Sequence, residues 1–191
     1  MSEKEKMLAG HLYQPYSQEL YQDREFCQGM LFEYNHLNPR DKENRDVILK
    51  RLLKCQGELC IEQPFYCRYG YNIEIGKNFY SDVGLTILDQ ALVQIGDNVV
   101  IGPHVQIYTG QYPFNEIERM RGMEYAKPVI IHHNVWIGGN TTILPGVKIN
   151  QGAIIGSGSV VTEDIPPYVI AAGNPCRVIR SITKEDVKKV W

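Results

Sequence analysis

The side chains that could bind a metal or act as nucleophiles are scattered along this 191-residue sequence. The five cysteines, none of them in a C-x-x-C pair, are Cys27, Cys55, Cys60, Cys67 and Cys176. An odd, dispersed set of this kind is typical of reduced thiols and not of a disulfide framework or a zinc knuckle. Three histidines, His104, His132 and His133, could be considered as zinc ligands. Because consecutive residues of a strand point to opposite sides, His132 and His133 are poorly placed to share one ion, and we expect no metal site.

Composition narrows the range of partners. The formal net charge is −2 with both signs well mixed, so we expect neither a nucleic acid nor an anionic membrane as partner. The first residues are charged and lack the apolar core of a signal peptide, and no apolar run reaches the 18 residues that suggest a membrane span. These features predict a cytoplasmic protein.

The elements that must position any site fall into two parts. Residues 1–58 have helical patterns: a short helix from Ser2 to Ala9 that Gly10 stops, and a second that Ser17 can cap. A third begins at 38–41 (NPRD). Their apolar stripes predict burial of Leu20, Cys27, Leu31, Tyr34, Ile48, Leu49, Leu52 and Leu53. These helices are too short to form a core alone, so we expect them to cap the open end of the second part.

Residues 59–180 carry a period of six. β-Branched residues recur at Ile131, Ile137, Ile143, Ile149, Ile155 and Val161, and the same phase occurs earlier at Ile95, Ile101 and Ile107. Neither a helix nor an alternating strand has this period, whereas a triangular coil of three short strands per turn does. The sequence therefore predicts a mainly β protein, a parallel β-helix with each of these residues facing inward.

Two places interrupt the repeat. The phase is lost between residues 109 and 128, and an excursion of that length in a compact repeat is usually functional. At the other end, the sequence 165–167 (IPP) predicts the end of the coil, and residues 181–191 are expected to form a short C-terminal helix that begins near Thr183.

Several stretches resemble the maltose and galactoside O-acetyltransferases, the sugar branch of the hexapeptide-repeat acyltransferases. They are KEKMLAG at 4–10, YNH at 34–36, YGYNI at 69–73, IGDN at 95–98, NVWIGG at 134–139, PGV at 145–147 and AGNPCR at 172–177. The resemblance covers essentially the whole chain. It implies a left-handed β-helix, acetyl-coenzyme A as donor, a sugar-like hydroxyl as acceptor, and a homotrimer with active sites between subunits.

The resemblance also assigns a donor site. The positions that match the family's coenzyme contacts are Trp136, Gly139, Ser157, Thr162, Arg177 and Arg180. Two arginines are suited to the coenzyme's phosphates. Glu163 stands where relatives usually have a basic residue, which weakens phosphate binding there.

The catalytic position departs from the family. Its general base is a histidine directly before a proline in the long loop, and the matching dipeptide here is Tyr112–Pro113. A free phenol has a pKa near 10, so only about one molecule in a thousand is ionised at pH 7. Asp82 stands where the family has an asparagine near the acceptor, and we hypothesise that Asp82, with Tyr112 as hydrogen-bond relay, partly replaces the imidazole.

The acceptor positions leave the substrate open. Asp89 matches the family and could accept a hydrogen bond from a sugar hydroxyl. Arg68 and Gln90 occupy positions where relatives carry other polar groups. Two alternatives remain: a zinc carbonic anhydrase on the same fold, which the histidine spacing disfavours, and a catalytically weak or silent homologue that binds a coenzyme A thioester or a protein partner.

Overall fold

The helical part contains the three predicted helices. The computed structural model describes residues 1–186, and its first helices are α1 (Glu3–Leu8), α2 (Gln18–His36) and α3 (Lys42–Leu52). Ser2 and Glu5 form a capping box at α1, in which the Ser2 hydroxyl accepts from the Glu5 N–H and the Glu5 carboxylate from the Ser2 N–H. Ser17 precedes α2, but its side chain makes no capping hydrogen bond, so the predicted Ser17 cap is wrong in this respect.

The rest of the described chain, up to residue 186, consists of short strands and one small helix. In chain order they are β1 (Lys54–Cys55), β2 (Leu59–Ile61), β3 (Tyr66–Cys67), β4 (Ile73–Ile75), β5 (Phe79–Ser81), β6 (Thr86–Leu88), β7 (Val93–Ile95), β8 (Val100–Ile101), β9 (Gln106–Tyr108), β10 (Gly110–Gln111), α4 (Glu116–Met120), β11 (Tyr125–Ala126), β12 (Val129–Ile131), β13 (Trp136–Ile137), β14 (Thr142–Ile143), β15 (Lys148–Ile149), β16 (Ile154–Ile155), β17 (Val160–Val161), β18 (Val169–Ala172) and β19 (Arg177–Ser181).

These strands form the three faces of a parallel coil. The first face has the order β1-β4-β7-β12-β15, the second β19-β18-β16-β13-β8-β5-β2, and the third β17-β14-β9-β6-β3. Successive turns pair through parallel backbone hydrogen bonds, with Ile131 opposite Ile149 and Ile137 opposite Ile155. The predicted fold class, a mainly β parallel helix with a helical cap, is confirmed.

The repeating aliphatic residues fill the coil. Side chains of the six-residue series that are at most 2% exposed are Ile95, Ile101, Ile107, Ile131, Ile137, Ile143, Ile149, Ile155 and Val161. Leu31, Leu49 and Leu52 of the helical cap belong to the same buried cluster. The Tyr34 hydroxyl donates to the Ile61 carbonyl, which ties α2 to the first turn of the coil. The helices thus cover the open apolar end that a coil would otherwise expose.

The excursion interrupts the coil without breaking its register. Ile95 pairs with Ile131, which is 36 residues later, whereas Ile131 pairs with Ile149, 18 residues later. The additional segment contains α4 and the antiparallel hairpin of β10 and β11. The coil therefore resumes in phase after the excursion.

The C-terminal end differs from the prediction. The proline pair Pro166–Pro167 does not end the coil, because β18 follows it and pairs in parallel with β16. β19 then folds back antiparallel on β18. Residues 187–191, which hold most of the predicted C-terminal helix, lie outside the described residues. Among the residues that are described, no helix is long and apolar enough to span a membrane.

Candidate functional site

The position of Tyr112 is set by the excursion. It directly follows β10 and precedes Pro113, and its side chain is 58% exposed. Asn115 caps α4 by accepting from the Ile117 N–H, and Arg119 on that helix donates to the Pro113 carbonyl at 2.8 Å. These contacts fix the backbone on the C-terminal side of Tyr112.

Tyr112 lies at a pocket of about 240 Å³ beside the third face of the coil. Arg68, Gln90 and Glu124 also line this pocket. The structure thus brings together three of the residues predicted from the sequence, Tyr112, Arg68 and Gln90, and adds Glu124. The volume is below that of a typical complete small-molecule site, which suits a small acceptor or one half of a shared site.

Two residues that line this pocket each have a buried polar atom without a partner among the described residues. Gln90 is 7% exposed, and its Oε1 atom makes no hydrogen bond within the described residues; the same holds for the buried Nε of Arg68. A buried polar atom without a partner costs free energy of about 1–3 kcal/mol. The Arg68 and Gln90 side chains therefore retain unused hydrogen-bonding capacity.

Asp89 has a structural role, which corrects its predicted role in acceptor binding. The side chain is fully buried. One carboxylate oxygen accepts from the backbone N–H groups of Arg68 and Tyr69, both at 2.9 Å, and the other accepts from Gly70 at 2.8 Å and Asn72 at 3.4 Å. Asp89 therefore holds the turn that carries Arg68 and presents no free oxygen to a ligand.

Asp82 is not part of the Tyr112 pocket of the same chain. It follows β5 on the second face, and its Oδ1 accepts from the Val83 N–H at 2.7 Å. It is not among the residues that line the Tyr112 pocket. A joint role of Asp82 and Tyr112 therefore requires an Asp82 from another subunit.

The predicted donor residues lie on adjacent turns. Trp136 points outward from β13 and is 44% exposed, and Ser157 is exposed one turn later. A Cβ atom on Gly138 would lie 2.5 Å from the Ser157 nitrogen, and one on Gly139 would lie 3.0 Å from the Pro103 carbonyl oxygen. These glycines are needed for the close stacking of neighbouring turns, a reason that sequence alone did not indicate.

The two arginines proposed for phosphate binding have carboxylate partners. Arg177 lies 3.6 Å from Glu163 in an exposed pair. Arg180 donates two hydrogen bonds to Asp186, at 2.6 and 2.9 Å, and this pairing lowers the pKa of the Asp186 carboxyl. A phosphate at Arg180 would have to displace Asp186, whereas Arg177 and the exposed Thr162 are more accessible.

The histidines considered as zinc ligands do not form a metal-binding cluster in the described residues. Over residues 1–186 no group of three or more His, Cys, Asp or Glu side chains is arranged to hold a metal ion. His133 Nδ1 accepts from the Asp97 N–H at 2.8 Å, and His104 packs over Gly84 of the neighbouring turn. Both side chains thus have roles in the packing of adjacent turns.

Glu124 is the site residue that sequence analysis missed. It is 7% exposed and accepts a hydrogen bond from the Tyr13 hydroxyl at 2.9 Å. The backbones of Tyr13 and Glu124 also exchange two hydrogen bonds. Because these two residues are 111 positions apart and Glu124 lies in the segment without a repeat, no local pattern could have identified this contact.

Comparisons with known proteins agree with this architecture. Residues 6–57 match the model of the maltose acetyltransferase hexapeptide capping motif, and residues 128–163 match that of the bacterial transferase hexapeptide, six repeats. A galactoside O-acetyltransferase of Escherichia coli is 43% identical, over 95% of this chain and 90% of the relative.

Solved structures are similar over nearly the whole chain. A maltose O-acetyltransferase from Clostridium difficile is 44% identical with a TM-score of 0.94, covering 96% of this chain and 99% of that one. A galactoside acetyltransferase in complex with coenzyme A is 40% identical with a TM-score of 0.96, covering 100% of this chain and 96% of that one.

Proposed function

Since this chain belongs to the maltose and galactoside O-acetyltransferase family of hexapeptide-repeat proteins, we propose that it transfers an acetyl group from acetyl-coenzyme A to a hydroxyl of a sugar-like acceptor. The acceptor oxygen attacks the thioester carbonyl directly, the thiol of coenzyme A leaves, and no covalent enzyme intermediate forms. The observation that carries the proposal is the pocket at Tyr112, whose lining includes the polar side chains of Arg68, Gln90 and Glu124 and so suits a hydroxylated ligand.

The donor would lie along the adjacent turns of the coil. Trp136 offers an exposed aromatic face, and Ser157 is exposed on the next turn, so an extended chain could lie across both residues. Arg177 and Thr162 would contact the phosphate end. A coenzyme A complex is known for a structure that is 40% identical, which supports this assignment.

We further propose that the working form is a homotrimer. Tyr80, Val100 and Trp136 are register partners on the second face, and all three point outward with 40–44% of their surfaces exposed. A row of exposed apolar side chains of this kind is typical of an interface. An adjacent subunit on this face would explain how Asp82 of one chain could approach Tyr112 of another.

We expect acetyl transfer at Tyr112 to be slow. The negative Glu124 carboxylate, followed by partial burial, raises the pKa of the Tyr112 phenol further above its ordinary value of 10. The phenolate fraction at neutral pH is therefore below one in a thousand, and Tyr112 cannot act as a simple base. General-base catalysis is typically worth about 10²–10⁴ in rate, so turnover below that of a histidine enzyme is expected.

A second candidate arises from the same residue. A chain without the family's histidine could bind a coenzyme A thioester, or a protein partner, without transferring the acetyl group. One observation distinguishes the two functions. Both proteins would bind coenzyme A, but only the enzyme would release the thiol of coenzyme A from acetyl-coenzyme A in the presence of an acceptor.

The test combines binding and turnover. Coenzyme A binding is measured by calorimetry, and thiol release from acetyl-coenzyme A is measured with a panel of mono- and disaccharides. We expect binding together with slow, acceptor-dependent release. Binding without release for any acceptor would support the silent homologue, and an Asp82→Asn variant with unchanged turnover would remove Asp82 from the catalytic hypothesis.

A further inference from the structure

The interior of the Tyr112 pocket contains a carboxylate to which the family resemblance assigned no role. Glu124 is only 7% exposed, yet it has a surface on the pocket. The Tyr13 hydroxyl donates to its Oε2 at 2.9 Å. Tyr13 is itself fully buried, and burial together with the Glu124 charge raises the pKa of its phenol, so it remains a neutral donor.

This arrangement holds the carboxylate in place and leaves it hydrogen-bonding capacity. An ionised carboxylate has about four acceptor sites on its two oxygens, and Tyr13 uses one of them. The paired backbones of Tyr13 and Glu124 fix the position of the side chain relative to the coil. Burial of a charged carboxylate costs free energy unless hydrogen bonds compensate for the lost water. Because Tyr13 is a single neutral donor, a second donor to Glu124 would be favourable.

Tyr112 is the donor that the pocket supplies at its open side. Its side chain lines the same pocket as Glu124, and it is more than half exposed to an incoming ligand. A phenol donates one hydrogen bond and can accept another. It can therefore donate to Glu124 and at the same time accept from an acceptor hydroxyl.

Resting on the proposed transferase function, we propose that Glu124 replaces the missing histidine as the final proton acceptor and receives the proton through the Tyr112 hydroxyl. As the acceptor oxygen bonds to the thioester carbon, its proton passes to the Tyr112 oxygen and the phenol proton passes to Glu124. When the carbon–sulfur bond breaks, Tyr112 gives its proton to the departing sulfur and takes back the proton held by Glu124, so the sulfur leaves as the thiol and the acceptor oxygen remains in the ester. The enzyme ends in its initial protonation state.

The ionisation states favour this path over a phenolate. A glutamate carboxylate is ionised at neutral pH, whereas a phenol is almost entirely protonated. The relay needs the neutral phenol, which is the abundant form. In this scheme Tyr112 touches the acceptor and is the catalytic residue, while Glu124 acts through it.

The relay predicts that the effect of Glu124 depends on residue 112. We expect Glu124→Gln and Tyr112→Phe each to lower kcat by about 100-fold, at the lower end of the range for general-base catalysis, with little change in KM for acetyl-coenzyme A. The double variant should be no slower than either single variant. In a Tyr112→His background, where the imidazole is its own base, Glu124→Gln should change kcat less than about threefold.

A matched control separates chemistry from folding. Glu116→Gln makes the same change on the exposed surface of α4 in the same excursion and should leave kcat unchanged. Equal losses from Glu124→Gln in the tyrosine and histidine backgrounds would assign Glu124 a structural role and overturn the relay, while the transferase function would stand. Absence of turnover in the wild type with coenzyme A still bound would overturn both proposals.

Discussion

Replacement of Asp89 by asparagine tests the physical account of the turn beneath the acceptor pocket. Two effects oppose each other at this carboxyl. Burial raises its pKa, and the backbone N–H groups of Tyr69, Arg68 and Gly70 lower it; burial is larger and raises the pKa from 3.8 to about 6. A difference of about two pKa units corresponds to about 3 kcal/mol, since each unit is worth about 1.36 kcal/mol.

The sign of the pH dependence is set by proton linkage. Between pH 4 and pH 6 the folded state keeps the Asp89 proton and the unfolded state has largely lost it, so this group makes the free energy of unfolding fall as pH rises. The amide of the Asp89→Asn variant cannot titrate. We expect the wild-type free energy of unfolding, relative to that variant, to fall by about 3 kcal/mol between pH 4 and pH 7.

The measurement is urea unfolding at several pH values, followed by far-ultraviolet circular dichroism. Asp46→Asn, a half-buried carboxyl on α3, controls for the removal of one negative charge. If the difference in the free energy of unfolding between wild type and Asp89→Asn did not change with pH, the pKa of Asp89 would not be raised. If that difference grew in favour of the wild type as pH rises, the backbone N–H donors would lower the pKa of Asp89 by more than burial raises it.

Four further substitutions, one of them a control, test the coil and the donor site. Ile143→Ala removes a fully buried side chain from the coil and should lower the free energy of unfolding by about 2–5 kcal/mol in urea titrations, and a loss under about 1 kcal/mol would argue against a packed interior. Gly138→Ala places a methyl group 2.5 Å from the Ser157 nitrogen and should lower the Tm. Its control is Gly29→Ala on α2, where nothing lies within 4 Å of the added methyl group, and this change should raise the free energy of unfolding by about 1 kcal/mol. Trp136→Ala should weaken coenzyme A binding about tenfold in calorimetry, and unchanged affinity would place the donor elsewhere.

The scaffold could be predicted because its signals are local and repeated. A period of six residues has no other regular interpretation, and the buried series from Ile131 to Val161 agrees with it at every position. The stop at Gly10, which has a positive φ of 73°, indicated the end of α1 in the same local way. The continuation beyond Pro166 was missed because strand β18 is held by pairing with β16 and not by its own sequence.

The acceptor site was only partly predictable. Asp89 and Gln90 are adjacent in sequence, and only the structure reveals that the first is buried under backbone N–H groups while the second lines the pocket. Arg180 depends on Asp186, six residues later, and Glu124 depends on Tyr13 from the helical part. Contacts of this kind arise from tertiary structure, and residue type alone does not indicate them.

We infer that this pocket supports acetyl transfer with tyrosine in place of the family's histidine. The most direct measurement compares acceptor-dependent thiol release from acetyl-coenzyme A by the wild type and by Tyr112→His under the same conditions. We expect measurable sugar-dependent release by the wild type and an increase of about tenfold or more in the variant. Coenzyme A binding by both proteins, with no sugar-dependent release from either, would contradict this inference.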